Sequence, residues 1–310
     1  MPFLKKVPTF DFMGLRNQAM ILSAVLIVLS LVSIGVRGLN LGVDFTGGVL
    51  LEVGYGNAVE LESVRAGLAA QGYTNALVQN FGSPNDVLIR LPPADDVETG
   101  ADVGNNVLAA LRSTDSTVEL RRVEFVGPQV GEDLTEQGGL AMLFALIMIF
   151  GYVMLRFRWK FAAGAIAALA HDVIITVGIF SAVGWEFDLT VLAAMLAVIG
   201  YSLNDTIVVF DRIRENFHLI RRGAAEDIIN TSINQTLART LITGITTLLV
   251  LVALLFLGGQ TVYGFSIALI IGILVGTYSS IYIASAAALI LDVSPTDLIP
   301  PKREELDDIP

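Results

Sequence analysis

Long apolar segments dominate the pattern of hydrophobic and polar positions along this chain. A helix needs about 20 mostly apolar residues to cross about 30 Å of hydrocarbon, and six segments have the composition for that. These segments are Met20–Val36, Leu140–Leu155, Phe161–Val183, Leu189–Phe210, Leu241–Leu257 and Tyr263–Leu291. The pattern therefore predicts six transmembrane helices.

The stretch between the first two apolar segments instead alternates short elements. Turn residues separate β-forming runs from runs with helical periodicity. The predicted strands are Val49–Tyr55, Ala76–Phe81, Val87–Leu91 and Thr117–Val126, and the predicted helices are Val59–Gln71 and Val103–Leu111. The order β-α-β-β-α-β is that of the ferredoxin-like arrangement, an α+β fold. The residues Gly-Ser-Pro-Asn at 82–85 are expected to form the turn between the second and third strands.

Basic residues occupy alternate loops, which predicts the orientation of the chain. They are Lys5, Lys6 and Arg16, then Arg156, Arg158 and Lys160, then Arg212, Arg214, Arg221, Arg222 and Arg239. The loops 184–188 and 258–262 contain no Lys or Arg. Because basic loops stay on the cytoplasmic side, both termini are predicted to be cytoplasmic.

The chain is thereby divided into five parts. The predicted parts are a cytoplasmic N-terminus (1–19), transmembrane helix one (20–36), an extracytoplasmic ferredoxin-like domain (37–137), transmembrane helices two to six (138–291) and a cytoplasmic tail (292–310). The fold class is that of an α-helical polytopic membrane protein with six transmembrane helices and one α+β domain outside the membrane.

The composition agrees with a membrane protein and excludes several kinds of active site. Hydrophobic residues make up 54% of the chain and charged residues 16%, with a mean hydropathy of +0.69, whereas soluble proteins carry about 25% charged residues. Most of the net charge of -11 comes from residues 37–137. The absence of cysteine excludes disulfides and thiol chemistry. No metal, cofactor or nucleic acid is expected, since the chain has two His and no Gly-rich phosphate loop.

Three ionisable residues inside or at the start of the predicted helices are candidates for function, because a charge near the bilayer centre costs several kcal/mol. Asp172 lies near the middle of helix three, Asp205 lies in helix four, and Arg239 lies at the start of helix five at a depth similar to that of Asp205. Opposite charges at one depth favour a pair, which would lower the cost of burying either residue. Alternatively, the two Asp residues are structural hydrogen-bonding groups and Arg239 extends towards the membrane surface.

Small residues recur every four positions on two predicted helices. Helix three carries Gly164, Ala168, Asp172 and Thr176, and helix six carries Gly272, Gly276, Ser280 and Ala284. Such rows are typical of close contacts between transmembrane helices. The partner helix is either in this chain or in a second chain.

Four stretches of sequence resemble the SecD/SecF family of the RND superfamily. They are LGVDFTGG at 41–48, VGPQVG at 126–131, GYSLNDT at 200–206 with FDRIREN at 210–216, and GTYSS at 276–280. The motif residues taken as structural are Gly42, Asp44, Gly47, Gly48, Gly127, Pro128, Asn204, Asp211, Arg212, Gly272 and Gly276. In the first stretch the glycines permit backbone conformations with φ > 0, as a tight join between helix and domain needs. Asp44 is expected to cap or brace that turn, with ligand binding as the alternative.

The resemblance implies a proton-driven transport subunit of the bacterial inner membrane, and not an enzyme. In this reading the chain is one RND-type half that promotes the late stage of protein export through the Sec pathway. Asp205 and Arg239 lie at the family's proton-pathway positions, and Asp172 is a third candidate. The implied partners are a homologous SecD-like subunit in a heterodimer, the Sec translocon channel with its associated subunits, the translocating preprotein and the lipid bilayer, with no nucleic acid.

Three other functions compete with this one. A small-molecule efflux half-transporter of the same superfamily is the main alternative, although efflux members usually have larger outer domains and all their helices in one chain. An intramembrane enzyme is disfavoured because no catalytic set of side chains is present. A purely structural assembly factor is disfavoured because it has little reason to keep costly charges inside the bilayer.

Overall fold

The computed structural model describes residues 9–93, 100–220 and 223–293. In chain order the helices are α1 (Arg16–Arg37), α2 (Val43–Thr46), α3 (Leu61–Ala70), α4 (Gly100–Thr114), α5 (Pro128–Arg156), α6 (Trp159–Val183), α7 (Leu189–Leu219), α8 (Ala225–Leu257), α9 (Tyr263–Ser279) and α10 (Ser285–Ile290). The strands are β1 (Asn40–Leu41), β2 (Gly48–Gly54), β3 (Leu77–Phe81), β4 (Ser83–Leu91), β5 (Glu119–Val126) and β6 (Glu186–Phe187). Outside the described residues lie four of the basic residues used to predict the orientation, at positions 5, 6, 221 and 222, and the tail from 294 onward.

Among the residues that the structure describes, six helical segments are long and apolar enough to cross a membrane, so the prediction of six spans is confirmed. They are Met13–Arg37, Pro128–Arg156, Trp159–Val183, Leu189–Leu219, Ala225–Leu257 and Tyr263–Ile290. The last segment runs from α9 through a π-helical turn at Ser280–Ala284 into α10.

Three of these helices extend by more than two turns beyond their predicted apolar segments. Helix α5 begins at Pro128 instead of Leu140, α7 continues to Leu219, and α8 begins at Ala225 instead of Leu241. Polar side chains hold the extensions of α7 and α8 together, since Asn216 donates from Nδ2 to Ser232 Oγ at 2.8 Å. Hydropathy detects contact with lipid, whereas the extensions depend on contacts between helices.

The segment between α1 and α5 forms the ferredoxin-like domain that the sequence predicted. Its four strands form an antiparallel sheet in the order β3-β4-β2-β5. Helices α3 and α4 cover one face and share its buried core with the sheet. We call residues 48–126 the sheet domain, and the end of the helix bundle next to it the domain end.

The predicted hairpin turn of the sheet domain is wrong in length. Only Gly82, with φ at 78°, separates β3 from β4, and the Ser-Pro-Asn residues belong to β4. Pro84 is tolerated within a strand because the register between β3 and β4 shifts beside it, between Asn80 and Phe81, so no ladder hydrogen bond is required from it.

Helices α6, α7 and α9 form the centre of the bundle. Half of the most apolar stretch of each is buried, against 17% for α1 and α8 and 6% for α5. The exposed sides of α1, α5 and α8 are covered with large apolar side chains. These sides suit contact with lipid or with helices of another protein.

Both rows of small residues make contacts inside this chain. A Cβ atom on Gly272 would lie 2.1 Å from Val198 Cγ2, and one on Gly276 would lie 3.0 Å from Ser202 Cβ, so α9 packs closely on α7. A Cβ on Gly164 would lie 2.9 Å from a backbone oxygen of the π-helical turn. The interpretation of these rows as surfaces for a second chain is therefore wrong.

Candidate functional site

Asp172 is the centre of a buried polar cluster that joins three helices. Its side chain on α6 is 1% exposed. Its Oδ2 accepts hydrogen bonds from Ser202 Oγ on α7 at 2.5 Å and from Ser279 Oγ on α9 at 2.8 Å, while its Oδ1 lies 2.9 Å from His171 Nδ1. A Cβ on Gly276 would lie 3.4 Å from Oδ2, so the glycine leaves room for the carboxylate.

His171 extends this cluster to α1. Its Nε2 lies 3.1 Å from Ser23 Oγ, which in turn lies 3.1 Å from the hydroxyl of Tyr278. That hydroxyl donates to the backbone oxygen of Ala19 at 2.7 Å. A continuous row of polar atoms thus runs from α1 to the carboxylate of Asp172. The side chains of Ser23, His171 and Asp172 in this row are buried, and that of Tyr278 is not.

Asp205 is also buried, but its environment differs from that of Asp172. The side chain is 3% exposed, and its Oδ2 has no hydrogen-bond partner. The hydroxyls of Tyr201, one turn earlier on α7, and of Thr240 on α8 are likewise buried without partners. Since α7 and α8 are adjacent and antiparallel, and Tyr201 Oη lies near Gly244, the level of Asp205 on α7 corresponds to that of Thr240 on α8.

Arg239 does not form the predicted ion pair with Asp205. Its side chain is exposed on the surface of the bundle, next to the buried Thr240. The structure thus places the two charges near one another but apart, with the carboxylate oxygen left without a donor.

Helix α7 connects the environments of the two carboxylates. Ser202, which donates to Asp172, lies three residues before Asp205, about 4.5 Å along the helix axis. The next residue, Thr206, lies 2.9 Å from Ser280 in hydroxyl-to-hydroxyl distance. A displacement of α7 therefore changes the contacts of both carboxylates.

The sequence motif around Asp44 is fastened to the start of α7. Asp44 Oδ2 accepts a hydrogen bond from the backbone N–H of Leu189 at 3.0 Å. Asp188, the N-cap residue, accepts from the N–H of Val191 at 2.8 Å with its Oδ1. Two carboxylates thus satisfy N–H groups that a helix start leaves without partners. Asp44 was expected to cap or brace its own turn, whereas in the structure it caps a helix that lies far away in the sequence.

The glycines of the same motif allow close contact between backbones. Gly47 and Gly48 have φ of 69° and 117°, which other residues adopt only under strain. A Cβ on Gly48 would lie 2.3 Å from the Leu91 oxygen. A Cβ on Gly131 of α5 would lie 2.8 Å from the nitrogen of Gly47, so the motifs at 41–48 and 126–131 pack on each other.

The start of α5 follows the common pattern for a helix N-terminus. Gly127 is the N-cap residue and Pro128 is the first residue of the helix. Proline is favoured there because it lacks an N–H that would have no partner in the helix. Helix α5 thereby begins almost immediately after β5.

Arg90 of β4 ties the sheet domain to the helix bundle. It donates to the backbone oxygen of Leu41 at 2.7 Å and forms an ion pair with Glu186 at 2.5 Å, in the loop between α6 and α7. Burial raises the pKa of the Glu186 carboxyl, and the Arg90 guanidinium counteracts this effect.

A cleft of about 860 Å³ lies between the open face of the sheet and the domain end of the bundle. Its lining includes Leu88, Trp185 and Phe256. Across it, Arg122 Nη1 donates to Thr261 Oγ1 at 3.0 Å. Within residues 9–93, 100–220 and 223–293, no group of His, Asp or Glu side chains is arranged to hold a metal ion.

The remaining motif residues lie away from the carboxylates. Asp211 forms an ion pair of two hydrogen bonds with Arg156, at 2.6 and 2.8 Å, which links the ends of α7 and α5 opposite the sheet domain. Arg212 pairs with Glu215 one turn later. Asn204 is exposed. These positions therefore stabilise helix ends or face outward.

Sequence reasoning missed the partners of Asp172. Ser202 and Ser279 lie inside the motifs at 200–206 and 276–280, and the adjacent hydroxyl residues were the available signal. Tyr278 lies in the second of these motifs as well. Ser23 had no such signal, because a hydroxyl in an apolar helix most often bonds to its own backbone.

Comparison with known proteins adds a family to this geometry. Residues 106–294 match the family described as "Protein export membrane protein SecD/SecF, C-terminal", and residues 32–59 match the "SecD/SecF GG Motif". The chain is 52% identical to the protein translocase subunit SecF of Vibrio alginolyticus, over 99% of each chain. It is 50% identical to the SecF subunit of Pseudomonas aeruginosa, over 98% of this chain and 99% of the relative.

The chain is also similar to solved structures. The crystal structure of SecDF, a translocon-associated membrane protein from Thermus thermophilus, matches 94% of this chain with a TM-score of 0.84 and 38% identity. SecDF in a super-membrane-facing form matches 92% with a TM-score of 0.68. In both cases the match covers 39% of the SecDF chain, so this chain corresponds to part of that larger protein.

Proposed function

The chain belongs to the SecD/SecF family of protein export membrane proteins, and on that premise we propose that it is an accessory subunit of the Sec preprotein translocase. Together with a SecD-like chain, it uses the proton gradient to promote the late stage of preprotein export. Family membership favours export over small-molecule efflux, the alternative left open by the sequence.

The observation that carries the proton-driven part of this proposal is the Asp205 oxygen without a partner. An ionised carboxylate with no donor is costly in a low-dielectric interior. That cost is relieved either by a proton on Asp205 or by approach of the Arg239 guanidinium, which keeps its own proton. Alternation between these two states moves one proton per cycle and requires α7 and α8 to shift against each other.

Asp172 serves the same cycle from the other side of α7. Its carboxylate is held by donors from α6, α7 and α9, so it senses any displacement of these helices. We assign Asp172 to the pathway because a shift of α7 caused by protonation of Asp205 would move Ser202, which donates to the Asp172 carboxylate. The row of polar atoms through His171 and Ser23 connects it to α1.

The partner of this chain is proposed to be a homologous six-helix chain. The match to 39% of SecDF supports a unit larger than this chain alone. The exposed apolar sides of α1, α5 and α8 are available for helices of a second chain. The translocon channel and the preprotein are further proposed partners.

Purification in mild detergent and an export assay test this function together. We expect a SecD-like chain and translocon subunits to co-purify. Inverted membrane vesicles containing this chain should complete preprotein translocation faster when a proton gradient is present than when it is collapsed, and vesicles lacking the chain should not respond. A chain that purifies as a monomer, and whose removal leaves the response to the gradient intact, would refute the proposal.

The proposed orientation places both termini in the cytoplasm and the sheet domain outside the inner membrane. The chain has no native cysteine, so single cysteines report accessibility without background. Ser116→Cys in the sheet domain should react with an impermeant maleimide in intact cells. Ala224→Cys, also exposed but between α7 and α8, should react only after permeabilisation. The reverse labelling pattern would invert the topology.

A further inference from the structure

We propose that Asp44 is the residue that couples the sheet domain to α7, so that the domain moves with the helix that carries Asp205. The inference rests on the proposed function and adds to it the route from the carboxylate to the domain outside the membrane. In this proposal Asp44 neither carries the proton nor binds the preprotein. It positions the sheet domain relative to α7.

The contact between Asp44 and α7 is unusual because the helix already has its own N-cap. Asp188 caps Val191, as a residue immediately before a helix commonly does. Asp44, 145 residues earlier in the chain, is a second carboxylate at the same helix start and accepts from the Leu189 N–H. The hydrogen bond therefore joins two distant parts of the molecule.

The segments around Asp44 and α7 are held together at several further points. Strands β1 and β6 pair in parallel, with Asn40 opposite Glu186, and the N–H of Gly42 donates to the Phe187 oxygen at 2.8 Å. Arg90 adds its ion pair to Glu186 from within the sheet. Strand β2 begins two residues after α2. So short a connection allows little independent movement between the Asp44 segment and the sheet domain.

The contact of the sheet domain with α8 and α9 is much weaker. It includes the exposed hydrogen bond from Arg122 to Thr261 across the cleft of about 860 Å³. The domain is therefore attached firmly to α7 and loosely to the loop after α8. When α7 shifts against α8, the domain follows α7 and the cleft changes width.

Asp44→Ala tests this coupling, with Asp44→Asn as the matched variant. Alanine removes the acceptor for the Leu189 N–H, whereas the oxygen of asparagine caps a helix about as well as a carboxylate. We expect Asp44→Ala to lower gradient-dependent export by roughly fivefold or more, while proton uptake by the same vesicles and co-purification with the partner stay at wild-type levels. Asp44→Asn should restore export.

A disulfide provides the second arm of the test. Asn40 and Glu186 are directly paired on neighbouring strands. Neighbouring strands lie about 4.8 Å apart, within the range of Cα separations that a disulfide spans. In the chain carrying Asp44→Ala, Asn40→Cys and Glu186→Cys, oxidation should restore export because it replaces the lost tie, and reduction should abolish it again. If the chain with Asp44 intact and both cysteines exports when reduced but not when oxidised, the junction must open during the cycle and the proposal is wrong.

Wild-type vesicles separate failure of this inference from failure of the proposed function. A wild type without any response to the gradient would overturn the proposed function itself. A responsive wild type matched by an equally responsive Asp44→Ala variant would overturn only the coupling role. Loss of proton uptake and of assembly in both Asp44 variants would also overturn it, since Asp44 would then be needed for folding.

Discussion

An Asp205→Asn variant is expected to insert, fold and bind its partner, yet to lose the response of export to the proton gradient. Asparagine has nearly the shape of aspartate, but its side-chain amide does not take up or release a proton at the pH of the assay. Because Oδ2 of Asp205 has no donor in the structure, no hydrogen bond is lost by the change. The ratio of export rates with and without the gradient should fall to about one, which is the largest effect that this assay can show.

Asp211→Asn is the matched control for this variant. It makes the same chemical change six residues later on the same helix, where the side chain is 42% exposed and paired with Arg156. Exposed ion pairs contribute about 1 kcal/mol or less, so folding and export should be nearly unchanged. If Asp205→Asn vesicles respond to the gradient as wild type does, Asp205 carries no proton and its role is structural.

Replacement of Asp172 should have the second large effect, and the two obvious substitutions should differ. Asp172→Ala removes the acceptor of Ser202, Ser279 and His171 within a buried site. Each lost hydrogen bond between membrane helices costs about 0.6 kcal/mol on average and up to about 1.7. A loss of about 2–5 kcal/mol is therefore expected, measured as a lower thermal unfolding temperature and a lower yield of folded protein in detergent.

Asp172→Asn separates the structural role of this residue from a role in the proton pathway. The amide can accept and donate hydrogen bonds to the same serine hydroxyls, so the variant should fold with near wild-type stability. Its gradient-dependent export should still fall several-fold if the charge of Asp172 takes part in the cycle. Thr176→Ala, one turn along α6, is the control, because the threonine hydroxyl bonds only to the Asp172 backbone oxygen. Wild-type export by Asp172→Asn would leave Asp172 a packing residue.

The number of spans and the domain type could be read from the sequence because both leave periodic local signals. Apolar runs of the length of a bilayer identified the six helices, and alternation of strand and helix signals identified the ferredoxin-like domain. The helix ends could not be read in the same way. The start of α8 mixes polar and apolar residues, and it is held against the bundle by the buried side chain of Ile229 and by the contact of Ser232 with Asn216 on α7.

The candidate site was found in outline from one physical argument, the cost of a charge inside the bilayer. That cost singles out Asp172 and Asp205 whatever their partners are. It does not say which donors satisfy a carboxylate. The expected Asp205–Arg239 pair is not formed, and the hydroxyls that hold Asp172 come from residues 30 and 107 positions away.

The sequence by itself therefore determined the features that depend only on neighbouring residues and on the solvent around them. That covers the six membrane helices, the order of elements in the sheet domain and the presence of buried carboxylates. Only the tertiary structure decided that the rows of small residues meet helices of the same chain and that Asp44 caps α7 instead of bracing its own turn. The physical reason is that hydrogen bonds and close packing act over about 3 to 4 Å in space, and the fold alone brings residues 145 positions apart to that distance.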